Sequence, residues 1–248
     1  MFIFLFGYLD FFFRVWLPGR ASSLPARARY MQRWSRHFLR VFGCHVTVQG
    51  SAPAEGILVS NHLSYVDVVV YGSIRPFVFL SKNEVRSWPV VGPMTRFAGT
   101  LYIRREDKAE IVRLGGELTP VVNAGVPVVM FLEGTSSGGE TVLPFGSGLL
   151  SAVEKNGWPV CAAWIHYSMR EGSVADEICY WRDMTFFPHL LNLLSLESFH
   201  AHVSFDTPLT AKLDRKEMAR ELHARVCRLK DAHLAGGVTA DKSPASPA

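Results

Sequence analysis

Apolar residues fall along this chain in two rhythms. Near-continuous runs at 56–60, 77–81, 100–103, 126–132 and 159–165 are short and bounded by Gly, Pro or polar residues, as buried strands are. Segments 25–42 and 108–123 read as helices. In the first of these, Met31, Trp34, Phe38, Val41 and Phe42 share one side, while Arg29, Arg33, Arg36, His37 and Arg40 lie mostly on the other. Residues 89–93, bracketed by Pro89 and Pro93, read as a turn. A late strand at 201–205 precedes a helix opened by Asp214-x-x-Glu217, with Met218, Leu222, Val226 and Leu229 on its packing face. Strands apolar throughout and alternating with helices predict an α/β fold, a mostly parallel or mixed central sheet flanked by helices.

In such sheets ligands gather beyond the carboxyl ends of the strands. His62, Lys82, Arg105 and Glu133 each stand just past the end of a predicted strand. Ser64-x-x-Asp67 has the form of a capping box, so a helix is expected from Ser64, leaving His62 in the turn before it. On a single helix the His and Asp would stand about 140° apart. Across the turn the imidazole can fold back onto Asp67. A carboxylate-oriented histidine can serve as a general base; equally, Asp67 can simply cap a helix and His62 be a turn residue. His166 and Glu171 have the same spacing without any capping pattern, so spacing alone does not decide.

Composition sharpens the picture at the ends. The 248 residues are 48% hydrophobic and 19% charged, which fits one domain with a large core. The net charge is +4, but no Asp or Glu occurs between Phe11 and Ala54, where Arg14, Arg20, Arg27, Arg29, Arg33, Arg36 and Arg40 fall. That block suits an anionic surface. The first 17 residues are aromatic yet too short, and with Asp10 and Arg14 too charged, for a spanning helix. Phe and Trp beside Arg are the marks of an interfacial helix. Residues 1–43 are therefore expected to form a two-helix monotopic membrane anchor, the alternative being a core-packing helix with a solvated Arg face. A single catalytic domain is expected over 44–234, and a disordered tail over 235–248, where Ala, Gly, Ser and Pro dominate. The apolar segment 184–199 either lines an apolar ligand's path or fills the core. Four dispersed cysteines without C-x-x-C indicate neither a zinc site nor a disulfide framework. No nucleic-acid motif accompanies the arginines, and no Gly-x-Ser-x-Gly elbow seats a serine nucleophile.

Taken together these residues resemble the lysophospholipid (1-acylglycerol-3-phosphate) acyltransferase family. Asn61-His62-x4-Asp67 is similar to its His-x4-Asp block, and Gly99 to Arg105 to its second block. Phe131-Leu132-Glu133-Gly134-Thr135-Ser136 resembles Phe-Pro-Glu-Gly-Thr-Arg, and Trp158-Pro159-Val160 the weaker fourth block. The likeness runs from Met31 to Leu209. It implies transfer of a fatty acyl group from acyl-CoA or acyl carrier protein to the free hydroxyl of a lysolipid, on the cytoplasmic face of the inner membrane. No metal or other cofactor is implied, and no nucleic acid partner. By the same resemblance His62 is the general base and Asp67 its orienter. Asn61, Ser64, Lys82, Arg105, Glu133, Gly134 and Thr135 would form the acceptor site, Lys82 and Arg105 holding an anionic headgroup. Ser136 stands where the family's Arg contacts phosphate. That departure, with Tyr180 to Phe186, looks like the branch that includes lyso-ornithine lipid acyltransferases. Lysophosphatidate and lyso-ornithine lipid both remain open as acceptors, and a non-catalytic lipid-binding protein is the reading outside enzymology.

Overall fold

The expected apolar runs form the middle of a seven-stranded sheet. In the computed structural model, which describes residues 2–88, 91–104, 108–209 and 212–240, the chain opens with helices α1 (Phe2–Phe11) and α2 (Leu24–Val41). Then come β1 (Cys44–Gln49), β2 (Ile57–Ser60), α3 (Val66–Ile74), β3 (Val78–Lys82), α4 (Val91–Ala98) and β4 (Leu101–Ile103). Next follow α5 (Lys108–Asn123), β5 (Val128–Phe131), α6 (Ser151–Asn156), β6 (Val160–Ser168), α7 (Val174–Glu177), α8 (Phe186–Ser195), β7 (Phe199–Phe205) and α9 (Arg215–Ala240). The strand order is β1-β7-β6-β2-β5-β3-β4, and every pairing is parallel except β6 with β7. The mixed α/β sheet is thus as the pattern predicts.

β2 and β5 lie side by side, with Ser60 opposite Phe131, so the turns after them emerge together at one end of the sheet. Both strands are buried throughout, which is why they read as continuous apolar runs. One face of the sheet packs Leu114, Leu118 and α9 residues Leu222 and Val226. The other packs Val66, Val70, Tyr71, Leu39 and Phe42 from α3 and the end of α2.

Four local expectations need correction. The turn at 89–93 is in its described part the start of α4; Pro93 sits in the helix's first turn, where no intrahelical N–H is required. Gly92 is there because a Cβ would come within 2.3 Å of the Arg86 carbonyl oxygen. β6 continues past residue 165 to Ser168, because its second half leaves β2 and pairs with β7, Ala163 opposite Phe205 through Ser168 opposite His200. The helix at Asp67 begins at Val66, not Ser64. α9 runs on to Ala240, past the start of the expected tail; residues 241–248 lie outside those described.

The N-terminal segment both packs and projects. α2 buries Ala28, Tyr30, Trp34, Ser35 and Leu39, so it belongs to the folded body. Phe11, Val15, Tyr30 and Trp34 form a separate small core. Around it Phe6, Phe12, Phe13, Trp16 and Leu17 are exposed. Among the described residues no helix is long and apolar enough to cross a membrane.

Candidate active site

The turn between β2 and α3 is built around one buried carboxylate. Asp67 has no exposed surface, and its Oδ2 accepts from the backbone N–H groups of Leu63 (2.7 Å) and Ser64 (3.1 Å). The same oxygen meets His62 Nδ1 at 2.8 Å. The second oxygen, Oδ1, accepts the Tyr167 hydroxyl at 2.6 Å. Burial, and then the Asp67 charge, push the Tyr167 phenol far up, so it stays a donor. Only half of the expected capping box forms, since the Ser64 hydroxyl is buried without a partner among the described residues.

With two backbone N–H groups already pointing at Oδ2, Asp67 is fixed as an acceptor there. His62 therefore carries its proton on Nδ1 and turns the Nε2 lone pair outward. Its ring lies flat on Phe131, centroids 4.0 Å apart and 15° from parallel, which fixes its plane. The His62 N–H donates to Glu133 Oε2 (3.2 Å), and Ser137 N–H donates to the His62 carbonyl (3.0 Å). Thus the first and third sequence blocks meet in space.

Glu133 braces the turn from behind. Its Oε1 takes the Leu143 N–H at 3.1 Å. Burial outweighs these two donors and raises its carboxyl to about 8. A carboxyl raised on folding binds its proton more tightly in the native state, so its contribution to stability is present below the unfolded value and lost as pH climbs. We expect thermal stability to fall from about pH 4.5 to about pH 8, and Glu133→Gln to flatten that slope. Melting curves across that range check this; parallel slopes for the two proteins would contradict it.

After Glu133 the backbone turns at Gly134, φ +78°, a conformation glycine adopts without strain. Gly134, Thr135 and Ser136 then border a groove of ≈ 430 Å³ together with His62, Lys82 and Arg182. Most of the remaining lining is apolar, including Met31, Trp34 and Phe38 from α2, Val68 and Val69 from α3, Met94 from α4, and Phe186 and Leu190 from α8. An oriented imidazole in the wall of a mostly apolar groove can take a proton from a hydroxyl borne by a lipid.

Not every expected residue faces this groove. Asn61 is buried; its side chain donates to the Ile165 carbonyl and accepts the Ile165 N–H, both at 2.9 Å, tying the end of β2 to β6. Asn61 and Ser64 are therefore supports, not groove residues. Arg105 lies outside the described residues, and its neighbour Arg104 pairs with Glu110 at 3.1 Å. His166 stacks on Trp164 (5.3 Å), and burial, with the neighbouring histidines and Lys230, lowers it to about 4.

Two residues were missed. Tyr167 lies 100 positions from Asp67 and its role depends on β6 running beyond its apolar part. Arg182 has φ +54° and its guanidinium stacks 3.8 Å above Trp181, an uncommon conformation held at the groove. The indole fits because Gly138 has no Cβ; one there would lie 2.6 Å from the ring. The run Tyr-Trp-Arg-Asp was visible, but no spacing rule connects it to His62.

The profile of the Acyltransferase family matches residues 45–166. The chain belongs to that family and is an O-acyltransferase. It is 32% identical over 212 residues to the lyso-ornithine lipid O-acyltransferase of Pseudomonas aeruginosa, covering 85% of this chain and 81% of that one. It is likewise 32% identical over 179 residues to the 1-acyl-sn-glycerol-3-phosphate acyltransferase of Neisseria meningitidis, 67% and 70% covered. The fold matches the crystal structure of the Thermotoga maritima 1-acyl-sn-glycerophosphate acyltransferase with a TM-score of 0.58 at 18% identity, covering 99% of this chain and 97% of that one.

Proposed function

We propose that the chain transfers a fatty acyl group from a thioester, acyl-CoA or acyl carrier protein, to the free hydroxyl of a lysolipid whose tail lies in the apolar groove. The observation that carries this reading is the 2.8 Å contact between His62 Nδ1 and the fully buried Asp67, with His62 lining that groove. His62 Nε2 takes the hydroxyl proton as the oxygen attacks the thioester carbonyl, and Asp67 stabilises the imidazolium. The tetrahedral adduct then expels the thiolate, which receives the proton. The products are an ester and a free thiol, with no covalent acyl-enzyme and no metal in the balance.

Of the two acceptors, lyso-ornithine lipid fits better. Ser136 replaces a cation, and its hydroxyl is already spent on the Tyr180 carbonyl. That leaves Lys82 and Arg182 as the described cations on the groove, enough for an amino-acid carboxylate. Two cations also suit a phosphate, which keeps lysophosphatidate as the second reading. Membranes carrying the protein, supplied with each lysolipid and a labelled thioester, separate them. Product from lyso-ornithine lipid alone supports the first reading, and product from lysophosphatidate alone reverses the choice.

The exposed aromatic segment supports docking on a membrane surface, which the family resemblance makes the cytoplasmic face of the inner membrane. Replacing Phe13, Trp16 and Leu17 together by serine should lower vesicle binding by at least about tenfold, since each buries apolar area in the interface. Flotation with lipid vesicles measures it, and unchanged binding would remove these residues from the docking surface.

A further inference from the structure

A second cavity, ≈ 640 Å³, lies between the N-terminal segment and α2, and it is lined by Arg14, Arg20, Arg29 and Arg33 with Val15 and Tyr30 among its walls. Asp10 is the carboxylate that pairs with this cluster, bridging Arg14 (2.7 Å) and Arg33 (2.9 Å). Arg20 and Arg29 have no acidic partner among the described residues, so the cavity holds an excess of positive charge. Arg33 Nε is buried with no hydrogen-bond partner, although buried donors nearly always find one. Like charges gathered in a concavity repel unless an anion joins them, and guanidinium forks match phosphate oxygens.

The residues adjoining the cavity in the chain indicate which anion. Residues Phe12–Trp16 form a π-helical turn that buries Val15 while leaving Phe13 and Trp16 more than half exposed, and Leu17 follows in the same state. Exposed apolar residues adjoining a cationic hollow match the boundary between acyl chains and headgroups. Resting on the docking reading above, we propose that this cavity binds the phosphodiester headgroup of an anionic membrane phospholipid, one that is not a substrate. Tyr30 lines both this cavity and the catalytic groove, so the bound headgroup stands one side chain away from the groove.

The test uses the full chain and sedimentation with vesicles of phosphatidylcholine alone or mixed with phosphatidylglycerol. Wild type should prefer the mixed vesicles. Arg20→Gln/Arg29→Gln should lose roughly 20- to 30-fold of that preference, as expected for two cations at an anionic surface. The equally charged control Arg170→Gln/Lys212→Gln, outside the cavity, should keep it. Equal loss in both double variants, or equal binding of wild type to both vesicles, overturns the headgroup site while leaving membrane docking intact. Failure of wild type to sediment with either vesicle removes docking itself. If inorganic phosphate raises the melting temperature of wild type but not of Arg20→Gln/Arg29→Gln, and phosphatidylglycerol gives no preference, the cavity serves a soluble anion and the lipid assignment falls.

Discussion

His62→Ala is expected to lower acyl transfer by roughly 10²- to 10⁴-fold, the range a positioned general base supplies. The fold should survive. Alanine keeps the backbone N–H to Glu133 Oε2 and the carbonyl that accepts from Ser137. What is lost is the ring's stack on Phe131, about 1 kcal/mol, and the Nδ1 hydrogen bond to Asp67, about 1.5–3 kcal/mol, while Asp67 keeps its donors from Leu63, Ser64 and Tyr167. Acylated product from a labelled thioester, normalised to folded protein, gives the answer. Product formation within a few-fold of wild type would leave the imidazole without a chemical role and favour the non-catalytic, lipid-binding reading.

The parts of this site that sequence could reveal are those governed by local rules. β2 and β5 are buried on both faces, so each is apolar throughout, and the polar residues after them mark where the sheet ends. That places His62 and Glu133 at one rim without any knowledge of pairing. Direct contact between the two turns needs the strand order, with β2 beside β5, and no local pattern carries that. Ser64 illustrates a misleading local rule: the Ser-x-x-Asp pattern is present, yet the carboxylate serves the backbone and the imidazole while the hydroxyl is idle. Asn61 looked functional through its place beside His62, but its amide joins two strands. Tyr167 was hidden because alternation resumes in β6 only where the partner changes from β2 to β7. The Pro93 segment misled for a different reason: proline marks the first turn of a helix as readily as a bend.

Asp67→Ala should be the most destabilising change near the site, by roughly 3–5 kcal/mol, because removing a buried acceptor strands its donors at about 1–3 kcal/mol each. Those donors are the N–H groups of Leu63 and Ser64 and the Tyr167 hydroxyl, all buried, and His62 is released as well. Activity should fall as far as in His62→Ala. Asp67→Asn separates structure from charge. The two backbone donors require an oxygen at the Oδ2 position, so the amide nitrogen must take the Oδ1 side, where the Tyr167 hydroxyl can rotate to accept from it. His62 then keeps its proton on Nδ1 and its orientation, and loses only the negative charge that stabilises the imidazolium. Asp67→Asn should therefore fold with near-native stability, within about 1 kcal/mol, yet turn over roughly 10- to 100-fold more slowly, the effect of one close charge at a partly shielded site. Denaturant unfolding and initial rates on the same preparations read both quantities. Full activity in Asp67→Asn would mean that the carboxylate only orients the ring. Asp67→Ala within about 1 kcal/mol of wild type would mean that water can replace the carboxylate, and that the turn does not depend on it.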